Sequence, residues 1–529
     1  MKKRLRTIAA LTAVMVCFGA CLPGCTGKQK SGDAEKDDNT FTYWAPMPNA
    51  AAAYIQSMNE LDIYQELEKR SGIHIEFIHP PVGQDAEQFN LMIASGDLPD
   101  MIEYYWNGVY TGGADKAVED GVIIPLNDYL DDYAPNYKKA LTTGENAEGY
   151  RKGALTDNHN YYAFLSLNEG NNRVFNGYMF RGDWLEELNL PVPKTIDEWT
   201  TALRRFRDEK GASVPLTGSS EAFTGNSMLS GAFGISTGLY LDNNKVKYGP
   251  GEPEYKQYVQ LLRDWYSEKF IDNDYPTNNN DVIDSKILNG NAGVISGSVG
   301  ATMGTYLKQM AGKDEKFSLV AAPMPVLNND SVNNFAQIQF DIQEPGLAIT
   351  KSCRDVKKAI KWADYLYSED GYNLMNFGIE GTTYNMDGQK HKYTDLILNN
   401  PQGHSVSEAL SLHTRASYAS PGMNQAADYL DQYYQFESQK EAIKLWGSYS
   451  GEAKKITLPS LIPLSEESDE YASLKTNITT YVEEMTMKFI IGSESMDNFD
   501  KFTEKLKTTF QLDKYVSMVQ KMYDRYLER

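Results

Sequence analysis

Few residue patterns in this 529-residue chain have a spacing that supports catalysis. Gly234-Ile235-Ser236-Thr237-Gly238 fits the Gly-x-Ser-x-Gly pattern of a nucleophile elbow, which needs a strand before the serine and a helix after it. Residues 239–248 instead predict a hairpin around Asp242-Asn243-Asn244, because turn-forming residues interrupt a strand-like pattern. The motif is therefore expected to be accidental, and no nucleophilic serine is predicted.

Metal-binding patterns are equally weak. None of the 6 histidines lies in a His-Glu-x-x-His array, and His74 and His79 fall on opposite faces of a predicted strand. Asp272-Asn273-Asp274 begins like a calcium loop, but the sixth position is Thr277 instead of glycine and the twelfth is Ile283 instead of glutamate. We therefore predict no catalytic residue, no metal and no cofactor. A pair of glycosidase carboxylates stays open as an alternative, since their separation is invisible in sequence.

Binding chemistry is better represented, because the chain contains 35 Tyr, 20 Phe and 7 Trp residues. Tyrosine combines an apolar face with a hydroxyl, which suits wet, polar ligands such as sugars. Two segments place aromatic and amide side chains directly after predicted strands. Their candidate ligand-binding residues are Trp44 and Asn49 in the first segment, and Tyr104, Tyr105, Trp106 and Asn107 in the second.

The three consecutive aromatic residues of the second segment cannot all face the core of an alternating strand. Among them we favour Tyr104 and Trp106 as ligand contacts, with the amide of Asn107 binding hydroxyl groups. Trp44 is equally compatible with a stacking platform and with a cover over the hydrophobic core.

Alternating strands and amphipathic helices must position these residues, which predicts an α/β fold. Strands are expected at 41–44, 73–78 and 100–105, with helices at 60–70 and 86–95 between them, giving a doubly wound βαβαβ unit. Later predicted elements are strands at 161–165, 177–180 and 347–349, a turn and strand at 289–295, a helix with a Thr195–Glu198 capping box, a helix at 357–367, and a mostly helical region from about residue 426.

The first 25 residues predict export. A basic start precedes an apolar run at 8–20, which is shorter than the roughly 20 residues that span a bilayer. Leu22-Pro23-Gly24-Cys25 resembles the lipobox of bacterial lipoproteins, in which the cysteine is lipidated and becomes the first mature residue. We therefore predict a signal peptide at 1–24, lipidation of Cys25 and a flexible polar tether at 25–40. An ordinary secreted protein is the alternative.

Charge and cysteine content exclude several classes of protein. The formal net charge of −21 argues against nucleic acid and anionic lipid as partners. Apart from Cys25, which is predicted to be lipidated, Cys353 is the one cysteine after the predicted signal peptide, which excludes a disulfide scaffold. The chain length fits two to four domains.

An ordered series of short motifs runs through residues 40–385. The motifs are IASGDLPD at 93–100, FRGDWL at 180–185, PKTIDEW at 193–199, LNGNAG at 288–293, LAIT at 347–350, AIKWADYL at 359–366 and GIEGTTY at 378–384. In this order and spacing they resemble family 1 extracellular solute-binding proteins, which are the capture subunits of ABC importers. The larger, carbohydrate-binding members are the nearest match, and the chain after about residue 400 matches nothing.

This resemblance implies two doubly wound α/β lobes of the periplasmic-binding-protein type, joined by crossing hinge segments. Lobe 1 would comprise 41–165 and 330–395, and lobe 2 would comprise 166–329 and 396–529 with the helical C-terminal region. The ligand would lie between the lobes, where strands end at their carboxyl edges. The resemblance adds four candidate binding residues, Arg181, Ser298, Glu380 and Tyr384. Arg181 could instead pair with Asp183, and Glu380 could have a hinge or capping role.

The sequence and the resemblance together predict a non-enzymatic, monomeric receptor, lipid-anchored to the outer face of the bacterial cytoplasmic membrane. It would capture an oligosaccharide and deliver it to the permease subunits of an ABC importer. A peptide or a charged sugar acid is the alternative ligand. A secreted carbohydrate-active enzyme or a surface adhesin is the alternative function.

Overall fold

The structure is a computed structural model that describes residues 39–169, 173–225, 227–416, 420–424 and 426–529. The predicted signal peptide, Cys25 and nearly all of the predicted tether lie outside these ranges. Within them, no helix has the length and apolar character needed to cross a membrane.

The strands, in chain order, are β1 (Thr40–Trp44), β2 (His74–Ile78), β3 (Met101–Tyr104), β4 (Phe164–Asn168), β5 (Asn176–Arg181), β6 (Leu239–Asp242), β7 (Lys245–Tyr248), β8 (Val294–Ser298), β9 (Leu319–Ala321), β10 (Ile342–Ile349), β11 (Tyr384–Asp387), β12 (Lys390–Tyr393) and β13 (Gly422–Asn424).

The α-helices, in chain order, are α1 (Asn49–Ala52), α2 (Asp62–Ser71), α3 (Asp85–Ser95), α4 (Trp106–Val109), α5 (Gly113–Glu119), α6 (Leu130–Tyr133), α7 (Pro135–Thr142), α8 (Ala147–Ala154), α9 (Gly182–Glu187), α10 (Ile196–Lys210), α11 (Glu254–Ser267), α12 (Asn280–Leu288), α13 (Thr305–Met310), α14 (Val356–Tyr365), α15 (Glu369–Phe377), α16 (Asp395–Leu398), α17 (Val406–His413), α18 (Ala427–Tyr433), α19 (Glu437–Gly447), α20 (Ser450–Ile456), α21 (Ser465–Ile491), α22 (Phe499–Thr508) and α23 (Leu512–Glu528).

Lobe 1 is built on a six-stranded sheet with the order β13-β4-β10-β3-β1-β2. β1 pairs in parallel with β2 and β3, and β10 runs antiparallel to both β3 and β4. β1 to β4 therefore point the same way, and their carboxyl ends meet at one edge of the sheet. The βαβαβ opening predicted from the sequence is confirmed.

Lobe 2 contains a three-stranded antiparallel sheet with the order β8-β5-β9 and a two-stranded hairpin, β6-β7. The helix α10 packs on it and begins with the predicted capping box. The Glu198 N–H donates to Thr195 Oγ1 at 3.3 Å, and the Thr195 N–H donates to Glu198 Oε2 at 3.0 Å. Gly211 ends the helix with φ +70°, a left-handed conformation that glycine adopts without steric cost.

Two separate hydrophobic cores define the lobes. One core draws on residues between 41 and 167 and between 347 and 375, and the other on residues between 174 and 336 and between 434 and 523. The chain crosses between them at 168–174, at 336–342 and between 424 and 434. At the first two crossings, the Gln339 N–H donates to the Arg173 carbonyl at 2.8 Å. The first crossing lies a few residues beyond the expected boundary, because β4 extends to Asn168.

A third cluster of buried residues spans 377–429 and includes Phe377, Tyr384 and Tyr393. It is tied to lobe 1 through Arg415, whose N–H donates to the Met375 carbonyl at 2.9 Å. The expected boundary between 395 and 396 falls inside this cluster. The prediction of a mostly helical C-terminal region is confirmed by α18 to α23.

Candidate functional site

The carboxyl edge of the lobe 1 sheet borders a cavity of about 640 Å³, here called the lobe 1 cavity. The segments that follow β1 and β2 line it, together with Tyr105 after β3 and with residues 407–415. Ligands of open α/β sheets bind at this edge because loops converge there. The position predicted for the site in lobe 1 therefore coincides with a cavity.

Lobe 2 presents a second cavity of about 600 Å³, here called the lobe 2 cavity. Asn176 at the start of β5 and Ser298 at the end of β8 are register partners, so both lie at its wall. The Ser298 hydroxyl accepts the N–H groups of Ala301 and Thr302 at 3.1 and 3.3 Å and caps a π-helical turn at Val299–Gly304. The predicted residue Ser298 thus lies where a ligand could reach it.

A third cavity, of about 310 Å³, lies between the lobes beside the crossing strand and is here called the hinge cavity. Asn107 and Tyr162 of lobe 1 line it, as do Tyr523 and Tyr526 of α23. Its lining shares the segment 338–340 and Thr457 with the lobe 2 cavity. The two cavities are therefore neighbours along one interlobe groove.

Tyr105 is the aromatic residue of the second predicted segment that faces a cavity. Its side chain is 45% exposed, while Tyr104 and Trp106 are 1% and 0% exposed. Tyr104 donates its hydroxyl to Asp85 at 2.9 Å, and Trp106 donates its indole N–H to the Gly346 carbonyl at 3.1 Å. The preference for Tyr104 and Trp106 is therefore corrected. Alternation along β3 sends Tyr104 inward, and Trp106 turns back into the core as α4 begins.

Trp44 covers the core of lobe 1. It is buried and packs against Phe89 and Tyr104, with ring centroids 6.0 and 5.2 Å away. This corrects its assignment as a ligand-binding platform and matches the alternative of a cover over the core. The side chain of Asn49, at the start of α1, lies outside the described part of the structure.

Asn107 lines the hinge cavity, but its amide already has protein partners. Its Nδ2 donates to the Tyr162 hydroxyl at 2.8 Å, and its Oδ1 accepts the Ala114 N–H at 3.2 Å. Its backbone N–H donates to Glu344 Oε1 at 3.1 Å. Asn107 therefore organises the cavity wall, and ligand contact by its amide stays a prediction.

Arg181 lies at the wrong end of its strand for a ligand contact. β5 pairs antiparallel with β8, which places Asn176 opposite Ser298 and Phe180 opposite Val294. Five residues of strand, roughly 16 Å, therefore separate Arg181 from the cavity edge. Arg181 is buried, forms an ion pair with Asp183 at 2.5 Å and lies over the ring of Trp184. The expectation of a binding role is corrected in favour of this internal ion pair.

Glu380 and Tyr384 also lie away from the described cavities. Tyr384 is buried and packs against Phe377 and His391 in the third cluster, with centroids 5.8 and 5.3 Å away. Glu380 is exposed on the adjacent turn. This corrects both assignments. The segment at 378–384, which the resemblance placed near the ligand, packs instead against the third cluster.

Burial raises the pKa of two glutamate side chains near the crossing segments. The pKa of Glu344 is raised to about 7 by burial beside the hinge cavity, against the hydrogen bonds that it accepts from Asn107 and Tyr162. Glu169, on the crossing segment, also has a raised pKa because of burial. In lobe 1, the Arg415 guanidinium donates to Glu103 Oε1 at 2.7 Å and to the Tyr64 hydroxyl at 2.5 Å.

The surroundings of the Gly-x-Ser-x-Gly motif and of the calcium-like loop fit neither a catalytic serine nor a bound metal. The hairpin predicted after Ser236 is confirmed as β6 and β7, and no histidine among the described residues lines the cavity that Ser236 borders. Asp272 is fully buried and binds Lys286 Nζ at 2.6 Å, Asn278 Nδ2 at 2.7 Å and Thr217 Oγ1 at 2.9 Å. A protein ammonium thus neutralises the carboxylate that begins the calcium-like loop. The described ranges contain no cluster of three or more metal-ligating side chains.

Sequence reasoning missed Phe340, which is 36% exposed and lines both the lobe 2 and the hinge cavities. It also missed Gln337 and Gln339 on the same crossing segment. The sequence gave no signal for these residues, because the predicted strand in this region begins only at 347, whereas β10 begins at Ile342.

The family model for bacterial extracellular solute-binding proteins matches residues 47–373. The fructooligosaccharide ABC transporter substrate-binding protein FusA of Streptococcus pneumoniae serotype 4 is 24% identical, over 98% of each chain. The polygalacturonan/rhamnogalacturonan-binding protein YtcQ of Bacillus subtilis strain 168 is 23% identical, over 72% of this chain and 74% of YtcQ.

Among solved structures, FusA of S. pneumoniae in complex with kestose superimposes with a TM-score of 0.74. The two chains are 21% identical, and the match covers 92% of this chain and 99% of FusA. This likeness confirms the predicted α/β class with two lobes.

Proposed function

The chain belongs to the bacterial extracellular solute-binding protein family, and from this membership we propose that it captures an oligosaccharide between its two lobes for an ABC importer. The observation that carries the proposal is a pair of cavities, one of about 640 Å³ at the carboxyl edge of the lobe 1 sheet and one of about 600 Å³ on lobe 2. The names of FusA and YtcQ, which both denote saccharide-binding proteins, support a saccharide as the solute.

The chemistry of the groove suits sugars. Exposed aromatic faces are provided by Tyr105 on the lobe 1 side and by Phe340 on the crossing segment at 336–342. Hydroxyl and amide groups lie nearby, among them Ser298, Gln337 and Asn176. Aromatic rings stack on the apolar faces of sugar rings while hydroxyls and amides hydrogen-bond at their edges. We propose Tyr105, Phe340 and Ser298 as the principal contacts.

Lobe closure is the proposed mechanism. The chain crosses between the lobes at 168–174 and 336–342, and a ligand that contacts both lobes stabilises the closed arrangement by its differential affinity. A binding constant in the micromolar range corresponds to about −8 kcal/mol. The permease would then recognise the closed form. Binding and release of an unchanged solute need no catalytic group.

Cys25 is the proposed lipid anchor, and the protein would work as a monomer on the outer face of the cytoplasmic membrane. The lipobox-like sequence at 22–25 and the polar segment that follows support this placement. A diacylglyceryl group provides the two acyl chains that stable anchoring needs.

Titration calorimetry against a broad oligosaccharide panel tests the proposal, with small-angle scattering of the same samples. We expect one class of oligosaccharide to bind and to reduce the radius of gyration. Mass spectrometry should recover the bound saccharide unchanged, whereas cleaved product would establish the enzyme alternative. Binding without compaction would contradict the closure mechanism.

A further inference from the structure

We infer that the solute is an uncharged oligosaccharide and that the groove discriminates against uronic acid polymers. The inference rests on the proposed function, because it assigns the chemical class of the saccharide. It decides between the neutral sugar and the charged sugar acid that the sequence left open.

The lobe 2 cavity is lined almost entirely by uncharged groups. Within the described ranges, Arg173 is the single charged residue that lines it, and its side chain is only 4% exposed. The three guanidinium nitrogens are all engaged, with Nε on Asp341 at 3.1 Å and the other two on the carbonyls of Glu169 and Asn168 at 3.1 and 2.6 Å. A carboxylate ligand in this cavity would contact hydroxyl and amide groups, because each nitrogen of the Arg173 guanidinium already donates to a protein group.

The lobe 1 cavity has the same property. Its one described cation is Arg415, whose side chain is 2% exposed and forms an ion pair with Glu103 at 2.7 Å. Asp85 lines this cavity too and accepts the Tyr104 hydroxyl. A bound uronate would therefore face a carboxylate without gaining a cation of its own, which like-charge repulsion opposes.

The hinge cavity contains two exposed lysines, and each is paired. Lys454 Nζ lies 2.7 Å from Asp341, and Lys455 Nζ lies 2.6 Å from Glu452. Glu344 adds a carboxyl group to the same lining. Exposed pairs of this kind are individually weak, so Lys454 and Lys455 are the cations that a uronate could recruit most readily.

Within the described ranges, no other lysine or arginine lines these three cavities. The internal residues outside the described ranges are Gly170, Asn171, Asn172, Asn226, Ser417–Ala419 and Gln425, none of which is basic. Lys308 lines a smaller space of about 30 Å³ that shares Gly300 and Tyr433 with the lobe 2 cavity, and its Nζ already donates to the His404 carbonyl at 2.8 Å. A buried carboxylate needs a paired cation and hydrogen bonds to offset its lost hydration, and a neutral sugar needs only the hydroxyls, amides and aromatic faces that are present.

Calorimetry on the purified protein tests the inference with two matched panels. The neutral panel contains fructo-, malto-, xylo- and manno-oligosaccharides and methyl-esterified trigalacturonate, and the acidic panel contains trigalacturonate and alginate trisaccharides. We expect the tightest ligand to be neutral, at least about tenfold tighter than any uronate. Its affinity should change less than about twofold between about 0.05 and 0.5 M NaCl, since no charge pair is formed.

The variant Asp341→Asn sharpens the test, because it removes the carboxylate that is paired with Arg173 and Lys454 while keeping the shape of the side chain. Trigalacturonate should bind this variant more tightly than the wild type. A uronate as the tightest wild-type ligand would overturn the inference and leave the proposed function standing. Absence of binding by every saccharide in both panels would overturn both.

Discussion

Asp157 and Arg529 form a buried ion pair that joins lobe 1 to the end of the last helix of lobe 2. Arg529 donates from Nε and Nη2 to Asp157 Oδ1 at 2.9 and 2.5 Å, and both side chains are only 2% exposed. Arg525 donates to the same carboxylate at 2.6 Å. The C-terminal region thus provides a connection between the lobes in addition to the crossing strands.

Asp157→Ala should therefore destabilise the protein strongly. Removing one partner of a buried pair leaves an uncompensated charge and costs about 3–5 kcal/mol. Guanidinium denaturation followed by circular dichroism measures the loss. Lys488→Ala, which breaks the exposed Lys488–Glu484 pair, is the control and should leave the free energy of unfolding nearly unchanged. Equal losses in the two variants would contradict a structural role for the interlobe pair.

Truncating either of the two exposed aromatic side chains that line the cavities, Tyr105 or Phe340, should weaken saccharide binding. Tyr105→Ala and Phe340→Ala each lose a stacking face worth about 0.5–1.5 kcal/mol beyond burial, which is roughly two- to tenfold in affinity. Tyr54→Ala is the matched control, because Tyr54 is 47% exposed and packs on His404 outside the three cavities. Calorimetry with the best ligand of the panel gives the comparison. Unchanged affinity in both groove variants would show that the ligand sits elsewhere.

The stability of the protein should fall as Glu344 ionises. Its pKa is raised from 4.5 to about 7, so the fold favours the protonated carboxyl. The penalty is absent below about pH 4.5, grows as the pH rises, and is complete above about pH 7, where it amounts to at most about 3 kcal/mol.

Glu344→Gln should accordingly be more stable than the wild type at pH 8 and similar to it at pH 5. The glutamine oxygen can still accept from Asn107 and Tyr162, which both approach Oε1. Thermal unfolding across this pH range measures the effect, with the exposed Glu380→Gln as the control. A constant difference between Glu344→Gln and wild type at every pH would be inconsistent with this titration.

Gly177→Ala should destabilise lobe 2. A Cβ at Gly177 of β5 would overlap the indole ring of Trp446 in α19, which is fully buried and donates to the Ala322 carbonyl at 2.8 Å. Overpacking of this kind costs about 1–3 kcal/mol. Gly451→Ala, in α20, meets no atom within 4 Å and serves as the control in chemical denaturation. If Gly177→Ala proved as stable as Gly451→Ala, the close approach of α19 to β5 would be wrong.

Replacing Cys25 should release the protein from the membrane. Because Cys25 is the proposed site of lipidation, Cys25→Ser should move the protein from the membrane fraction to the medium and abolish incorporation of a palmitate analogue. Cys21→Ser, which alters a cysteine inside the predicted signal peptide, should leave both unchanged. Fractionation with immunoblotting measures the distribution. Continued labelling of Cys25→Ser would assign the lipid to another residue.

The sequence predicted the opening of lobe 1 well and the site only in outline. The βαβαβ unit and the Thr195–Glu198 capping box follow from local periodicity and capping chemistry, which act over a few residues. A cavity also lies at the sheet edge where the sequence predicted the site, since parallel strands end at one edge. Which of Tyr104, Tyr105 and Trp106 faces outward depends on the phase of the strand, and one residue of error reverses every side chain.

Arg181 and Phe340 show what local patterns cannot supply. Arg181 was assigned to the wrong edge because the antiparallel pairing of β5 with β8 is a long-range property. Phe340 escaped notice because its exposure depends on where the chain passes between lobes. Glu380 and Tyr384 were misplaced for a similar reason, since the third cluster forms with residues beyond 395.

The segment 338–340 belongs at once to the walls of two cavities and to the ribbon between the lobes. A ligand that contacts Phe340 therefore contacts the segment that joins the lobes. Under the proposed closure mechanism, ligand binding should change the angle between the two lobes directly, and a pair of fluorescent dyes, one on each lobe, would report ligand binding as a change in energy transfer.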